Sequence, residues 1–410
     1  MPDLRRQQIQ VVTACYLGWT LDAFDYFIMA FALDAVAKEF GASRTEVTWA
    51  FFLTLALRPV GAVLFGRLAD RFGRRPTLMA NVLIYSALEC ASGFAPTLTS
   101  FLVLRALYGV AMGGEWGVGA ALTMESIPAR WRGVVSGLLQ AGYPSGFLLA
   151  TLLNRVAVQY VGWRGLFMLG VLPALLVLYI RRNVPESPEW TRNTRAVRQP
   201  LLPLLRSHAG LAVYAIVMMA SFNFFSHGTQ DLYKSFLTVD RHLSLTATTT
   251  ILIFMNLAAM VGGIGCAALS QRIGRRRAIV WAALLALPVL PLWALSTQAL
   301  WLGIGAFLMQ LFVQGAWGVI PAHLNELSPP AIRGTFPGLT YQLGNLLAAG
   351  TAPIQSGMAD RFFHRDLAWP LAIVVGLVAI VIAVLVGFGR EARGVQMGRE
   401  LPPDQPAIAA

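Results

Sequence analysis

The same chemistry occurs twice in this chain at one fixed spacing. Asp70-Arg71-Phe72-Gly73-Arg74-Arg75 returns 201 residues later as Gln271-Arg272-Ile273-Gly274-Arg275-Arg276. Glu125-Ser126-Ile127-Pro128, followed by Arg132-Gly133, returns as Glu326-Leu327-Ser328-Pro329, followed by Arg333-Gly334. Trp116-Gly117 returns as Trp317-Gly318. Three matches at one offset without a gap mark a duplicated unit, so the fold must be two copies of one bundle. In an apolar chain, a duplicated bundle is the build of a secondary transporter.

The apolarity is explicit. The chain is 56% hydrophobic and 13% charged, where a soluble domain is about a quarter charged. An apolar run of about 20 residues spans a bilayer as a helix. Twelve such runs are present, roughly at 11–33, 47–68, 77–95, 98–122, 134–156, 163–180, 209–232, 246–268, 278–296, 299–322, 335–357 and 367–388. They are numbered here as spans 1 to 12. Little chain remains for a soluble domain, so the function is expected in the membrane part.

The net charge of +12 is a matter of placement. Of the 32 basic residues, 22 fall in alternate connections and the termini: Arg5/Arg6, Arg67–Arg75, Arg130/Arg132, Arg181–Arg206, Arg272–Arg277, Arg333 and Arg390–Arg399. Basic residues accumulate on the cytoplasmic side, so both termini and the middle loop are expected in the cytoplasm of a plasma-membrane (inner-membrane) protein. The charge is therefore a topology signal, with no nucleic-acid partner expected. Cys15, Cys90 and Cys266 all lie in apolar runs, with no metal-ligand spacing and no disulfide framework. No cleavable signal peptide is expected, because Met1–Gln10 leads straight into a span carrying Asp22 and Asp25.

The duplication divides the chain into an N-terminal six-helix bundle (1–190), a cytoplasmic linker (191–207), a C-terminal six-helix bundle (208–390) and a disordered cytoplasmic tail (391–410). The fold class expected is all-α, with twelve transmembrane helices in two pseudo-symmetric bundles. Substrate sites in such repeats lie at mid-membrane depth between the bundles. Gly66-Arg67-Leu68-Ala69-Asp70-Arg71-Phe72-Gly73-Arg74-Arg75, between spans 2 and 3, resembles the signature loop of the major facilitator superfamily. Pro185-Glu186-Ser187-Pro188 after span 6 and the paired Glu-x-x-Pro-x-x-x-Arg-Gly stretches resemble its sugar and organic-acid symporters. The resemblance implies alternating access by rocking of the bundles. Asp70, Arg71, Arg74, Arg75, Glu125, Arg132, Glu326 and Arg333 are then gating candidates. Asp70 is expected to pair with nearby arginines, and Glu125 with Arg132.

A charge near the bilayer centre costs at least ~2.5–3.5 kcal/mol on insertion scales, so it is usually paired and functional. Asp22, Asp25, Arg58, Glu89, Arg105 and Glu115 are the candidates. Arg105 and Glu115 are ten residues apart on span 4, about 15 Å along its axis. A buried aspartate near an arginine can load and release a proton as access alternates. Asp22, Asp25 and Glu115 are the proton-coupling candidates, Arg58 and Arg105 the carboxylate binders. Glu89 ranks last, because span 3 is usually peripheral in the fold the chain resembles.

Span 7 carries the most specific motif. Asn223, His227, Gln230, Asp231 and Lys234 share an arc of about 100° on one helix face. The stretch Asn223–Ser235 is similar to the signature of the Jen-type lactate permeases, Asn-x-x-Ser/Thr-His-x-x-Gln-Asp-x-x-x-Thr, through Asn223, Ser226, His227, Gln230 and Asp231. The last position is Ser235, which keeps a hydroxyl. Leu21-Asp22-Ala23-Phe24-Asp25 resembles the first-helix motif of the sialate and aromatic-acid proton symporters. The family implies proton-coupled uptake of lactate, pyruvate or a similar short monocarboxylate. Asn223, Ser226 and Gln230 would then bind substrate, while His227 and Asp231 carry protons. His227 suits that task because an unperturbed imidazole titrates near neutral pH. Gln314 and Tyr341 are further binding candidates, and Gln140, Tyr143 and Asn345 could complete the pocket. Trp49, Trp163 and Trp301 read as interfacial anchors.

A symporter for a larger aromatic or sialic acid is the alternative. A drug-exporting antiporter fits less well, because Gly142-Tyr143-Pro144-Ser145-Gly146 lacks the Gly-Pro dipeptide of such exporters. A sensor would need an output domain. An enzyme is not expected: no nucleophile–base pair or metal site is visible, and the five histidines are scattered. The expected partners are a small carboxylate, protons and the bilayer, with the chain working as a monomer and with no cofactor.

Overall fold

A computed structural model of the chain describes residues 5–192, 201–395 and 397. Among them, every regular element is helical. Span 1 is Arg6–Glu39, span 2 Arg44–Phe72, span 3 Arg74–Ser92 and span 4 Leu98–Ser126. Span 5 begins as Arg132–Gln140 and continues in Gly142–Leu169. That helix breaks at Gly162, with φ 63°, so its last turns start span 6, which ends in Ala174–Asn183. Span 5 therefore runs past the expected end at 156.

Span 7 is Ala209–Gln230, prolonged by Tyr233–Ser235 and a π-helical turn, Phe236–Asp240. Span 8 is Leu245–Ile273 and span 10 Ala299–Leu327. Span 9 runs through Arg275–Ala286, Leu287–Val289 and Pro291–Leu295. Span 11 is split by Gly350 into Phe336–Ala348 and Thr351–Phe362. Span 12 is Ala368–Gly387. Seven helical stretches are long and apolar enough to cross a bilayer on composition alone. Spans 1 and 4 are not among them because Asp22, Asp25, Arg105 and Glu115 sit in mid-helix, facing protein and not lipid.

The duplication is visible in the packing. Span 2 packs on span 4 as span 8 packs on span 10, and span 1 on span 5 as span 7 on span 11. The bundles meet through span 5 against span 8, and span 2 against span 11, a two-fold related pair. Span 4 also meets span 11, where Gly117 and Gly338 let the backbones touch: a Cβ on Gly117 would lie 2.7 Å from the Gly338 Cα. The turns after spans 2 and 8 also repeat. Gly73 and Gly274 take φ 112° and 102°, a region favourable only to glycine.

Parts of the expected linker and tail are structured. Pro188–Arg192 and Leu201–Ser207 are short helices. Glu391 accepts from the backbone N–H groups of Arg275 and Arg276, at 3.2 and 3.1 Å, so the segment expected to be a disordered tail begins as an ordered cap on span 9. Residues 193–200 of the linker, and 396 and 398–410 of the tail, lie outside the described residues.

Candidate functional site

A chamber lies between the bundles at mid-helix depth, with about 40 Å³ open to the centres of water-sized molecules. Span 1 supplies Trp19, Asp22 and Tyr26, one helical face at spacings of three and four. Arg58, Met112, Gln140 and Tyr143 complete the N-terminal wall. The C-terminal wall is Asn223, Ser226 and His227, with Gln314 and Trp317 from span 10 and Tyr341 and Asn345 from span 11.

Arg58 is 6% exposed, and no ion pair forms on it among the described residues. Its Nη2 reaches the Met112 Sδ at 2.6 Å, and its guanidinium lies 5.3 Å from the Tyr26 ring centre. A thioether and an aromatic face are weak partners for a cation, so the guanidinium keeps most of its capacity for an anion. The facing wall is built from amide, hydroxyl and imidazole groups. Ser226 Oγ accepts from Gln230 Nε2 at 3.1 Å and from Gln314 Nε2 at 3.2 Å. Asn223 Nδ2 donates to the Met219 carbonyl at 2.8 Å. His227 links Asp231 through Nδ1 and Asn345 through Nε2, each at 3.2 Å.

A second chamber of about 400 Å³ lies on the far side from the termini. Phe27, Phe51 and Phe147 form one side of it, and Gln230, Asp231, Lys234 and Asn256 the other. Tyr26, Tyr143 and His227 lie in the walls of both chambers.

Behind the N-terminal wall is a buried charge cluster. Arg105 pairs with Glu89, N to O 2.6 Å, donates to Ser92 Oγ, and sits 4.3 Å from the Tyr108 ring centre. Asp25 is fully buried, and neither of its oxygens has a protein partner among the described residues. Glu115 packs against span 1 where Gly18 leaves room: a Cβ on Gly18 would lie 2.5 Å from its Oε1.

The face that carries the termini is closed by mirrored contacts. Asp70 Oδ1 accepts from the Gly334 N–H at 2.8 Å, and Thr335 Oγ1 donates to Oδ2 at 2.6 Å. Gln271, at the equivalent position, accepts from the Gly133 N–H at 3.0 Å. Arg74 bridges Asp70 and Glu125, each at 3.0 Å, and Arg275 pairs with Glu326 at 3.0 Å. Arg132 reaches Glu326 across the bundles at 3.7 Å. Glu186 accepts from the Arg74 and Arg75 N–H groups, as Glu391 does from Arg275 and Arg276. Burial pushes the Glu186 carboxyl above its ordinary range, against those N–H groups and the Arg74 charge.

The family comparison fits this architecture. The pattern of the Major Facilitator Superfamily matches residues 15–353. The chain belongs to the Major Facilitator Superfamily. It is a multi-pass membrane transport protein, not an enzyme. A probable 4-methylmuconolactone transporter of Cupriavidus pinatubonensis is 31% identical, over 84% of this chain and 82% of that one. A carboxylic acid transporter protein homolog of Saccharomyces cerevisiae is 27% identical, over 95% and 70%. The sialic acid transporter NanX of Escherichia coli is 28% identical, over 93% and 94%. Among solved structures, the proton:xylose symporter XylE superposes with a TM-score of 0.76 at 16% identity, over 96% of this chain and 98% of that one.

In this superfamily member the expected site residues separate into three groups. Asp22, Arg58, Asn223, Ser226, His227, Gln314 and Tyr341 meet at the inner chamber. Gln230 and Asp231 belong to the outer one, about one helical turn away. Arg105 is displaced from the expected carboxylate-binding role: it is 1% exposed and held by Glu89 inside the bundle. Asp25 and Glu115 also face the bundle interior, not a chamber. At the closed face, Glu125 pairs with Arg74 in place of the expected Arg132. Arg333 binds the Asn325 and Ser328 carbonyls, Arg75 Nη2 the Arg181 carbonyl, and Arg71 lies over the Phe72 ring. Trp163 is no interfacial anchor: it is 6% exposed and donates to Glu39.

Three features escaped the sequence analysis. Trp19 and Tyr26 flank Asp22 at helical spacing, a signal that was available. Glu89 was discounted for its span, yet it is the partner of Arg105. Glu391 repeats Glu186 at an offset of 205 instead of 201, so a fixed-offset search passes over it.

Proposed function

We propose that the protein takes up a short monocarboxylate, such as lactate or pyruvate, together with protons, by alternating access. The carrying observation is Arg58: a buried cation in the wall of the inter-bundle chamber, with no carboxylate paired to it among the described residues. A carboxylate would bridge Arg58 and the neutral donors of the facing wall, drawing the bundles together around it. Asp22, beside Arg58 in the same wall, would take the proton, with Asp25 and Glu115 behind it. His227 and Asp231 lie where a proton would arrive from the outer chamber. The termini would lie in the cytoplasm and the open side outside the cell membrane, as the basic residues of the terminal face suggest. Relatives named for carboxylic acid and sialic acid transport support an acidic substrate.

A larger organic acid is the second reading. The outer chamber favours it, because it opens off the inner one beside Tyr26 and Tyr143 and has an aromatic wall. Uptake of labelled L-lactate into liposomes under an inward proton gradient tests the pair. Uphill accumulation that small acids suppress supports the short monocarboxylate. Accumulation seen only with aromatic or sialic acids moves the assignment to the larger class, and no uptake of any acid by folded protein refutes both.

A further inference from the structure

Four polar side-chain atoms in the inner chamber's lining are buried and have no protein partner among the described residues. Two are donors, Trp19 Nε1 and Arg58 Nε; two are acceptors, Gln140 Oε1 and Asp22 Oδ1. All four residues are more than nine-tenths buried: Trp19 is 3% exposed, Arg58 6%, Gln140 7% and Asp22 1%. Of the two acceptors, Gln140 Oε1 is the one a proton cannot answer, because an amide oxygen does not titrate, whereas Asp22 takes the proton in the reading above. An orphaned buried acceptor is costly, and a ligand that supplies a donor removes the cost.

A plain carboxylate does not satisfy this set. It brings only acceptors, which suit Arg58 and Trp19 and leave Gln140 unanswered. A 2-oxo acid leaves Gln140 Oε1 unanswered as well, because its second oxygen also only accepts. We propose that the site selects a 2-hydroxy-carboxylate: the carboxylate lies on Arg58 and the Trp19 N–H, and the hydroxyl donates to Gln140 Oε1. The inference rests on the carboxylate reading of the same chamber and sharpens it. The position of the hydroxyl donor relative to the carboxylate distinguishes hydroxy, oxo and unsubstituted acids of nearly equal size. A site built to hydrogen-bond a hydroxyl rejects the analogue lacking it far more strongly than an apolar pocket rejects a missing methylene.

The test uses the full-length protein in liposomes and two matched triplets: L-lactate, pyruvate and propionate, then mandelate, phenylglyoxylate and phenylacetate. The second triplet covers a substrate whose body reaches the outer chamber. The expected result is that the hydroxy acid of at least one triplet binds about tenfold or more tightly than its oxo and unsubstituted partners. Gln140→Leu should close the gap within a triplet, lowering hydroxy-acid affinity to that of the unsubstituted acid. Trp19→Phe should weaken all members of a triplet together. Equal affinity across both triplets in the wild-type protein overturns the hydroxyl inference and leaves the carboxylate reading intact. Failure of all six acids, and of sialic acid, to bind folded protein overturns the carboxylate reading itself.

Discussion

The two bundles share a fold and divide the chemistry. Each of the six mid-span charges of the N-terminal bundle aligns with a neutral residue 201 positions later in the C-terminal one. Asp22 corresponds to Asn223 and Asp25 to Ser226; Arg58 to Ala259 and Glu89 to Leu290; Arg105 to Ala306 and Glu115 to Ala316. Six ionisable groups thus stand opposite two hydrogen-bonding and four apolar ones. At the closed face the opposite holds: Arg74 and Arg275, Glu125 and Glu326, and Glu186 and Glu391 do the same work in both halves. The gate needs symmetry, because each half must close on the other. The interior does not, since one half can hold the mid-span ions while the other orients a hydrogen-bonding wall.

That contrast can be broken at its most expensive point first. Arg105→Leu leaves Glu89 buried without its cation and should cost about 3–5 kcal/mol of stability, read as thermal unfolding in detergent. Glu89→Leu combined with Arg105→Leu makes the interior resemble Leu290 and Ala306 and should restore most of the loss. A double variant no more stable than the single would show that the pair does more than neutralise itself.

Arg58→Ala removes the chamber's cation and should weaken substrate binding by about 1.5–3 kcal/mol, roughly 10- to 100-fold, with little change in stability. Titration of the reconstituted variant with the transported acid measures it. At the gate, Gln271→Ala should shift the population towards opening at the terminal face by about 1 kcal/mol, roughly fivefold, for one neutral hydrogen bond. Asp70→Ala should shift it further, because its carboxylate holds Arg74, Gly334 and Thr335 together. Distances between spin labels across that face read both. The smallest effect is expected from His227→Ala, which should move the pH profile of transport while leaving the chamber's cation in place; an unchanged profile would make His227 purely structural.

The architecture was legible because duplication and apolar runs are one-dimensional signals, and a fixed offset pairs elements without a structure. The chamber was legible where polar residues sit on a helix that is otherwise apolar, as at Asn223, Ser226, His227 and Gln314. It was illegible where direction decides. Asp22 and Asp25 are one turn apart, yet only Asp22 reaches the chamber, because three residues rotate the side chain by about 60°. Arg105 looked equivalent to Arg58, both being cations in mid-span, until Glu89 on a neighbouring helix claimed it. Such pairings depend on which faces pack together, and no spacing within one helix contains that.

The most direct test of the division of labour is proton movement driven by substrate. L-lactate is added to liposomes holding the protein, and the external pH is recorded for the wild type and for Asp22→Asn. The account predicts alkalinisation on addition in the wild type. In Asp22→Asn it predicts none, although labelled lactate still exchanges across the membrane. Lactate uptake without alkalinisation in the wild type, or the same alkalinisation in Asp22→Asn, would contradict it.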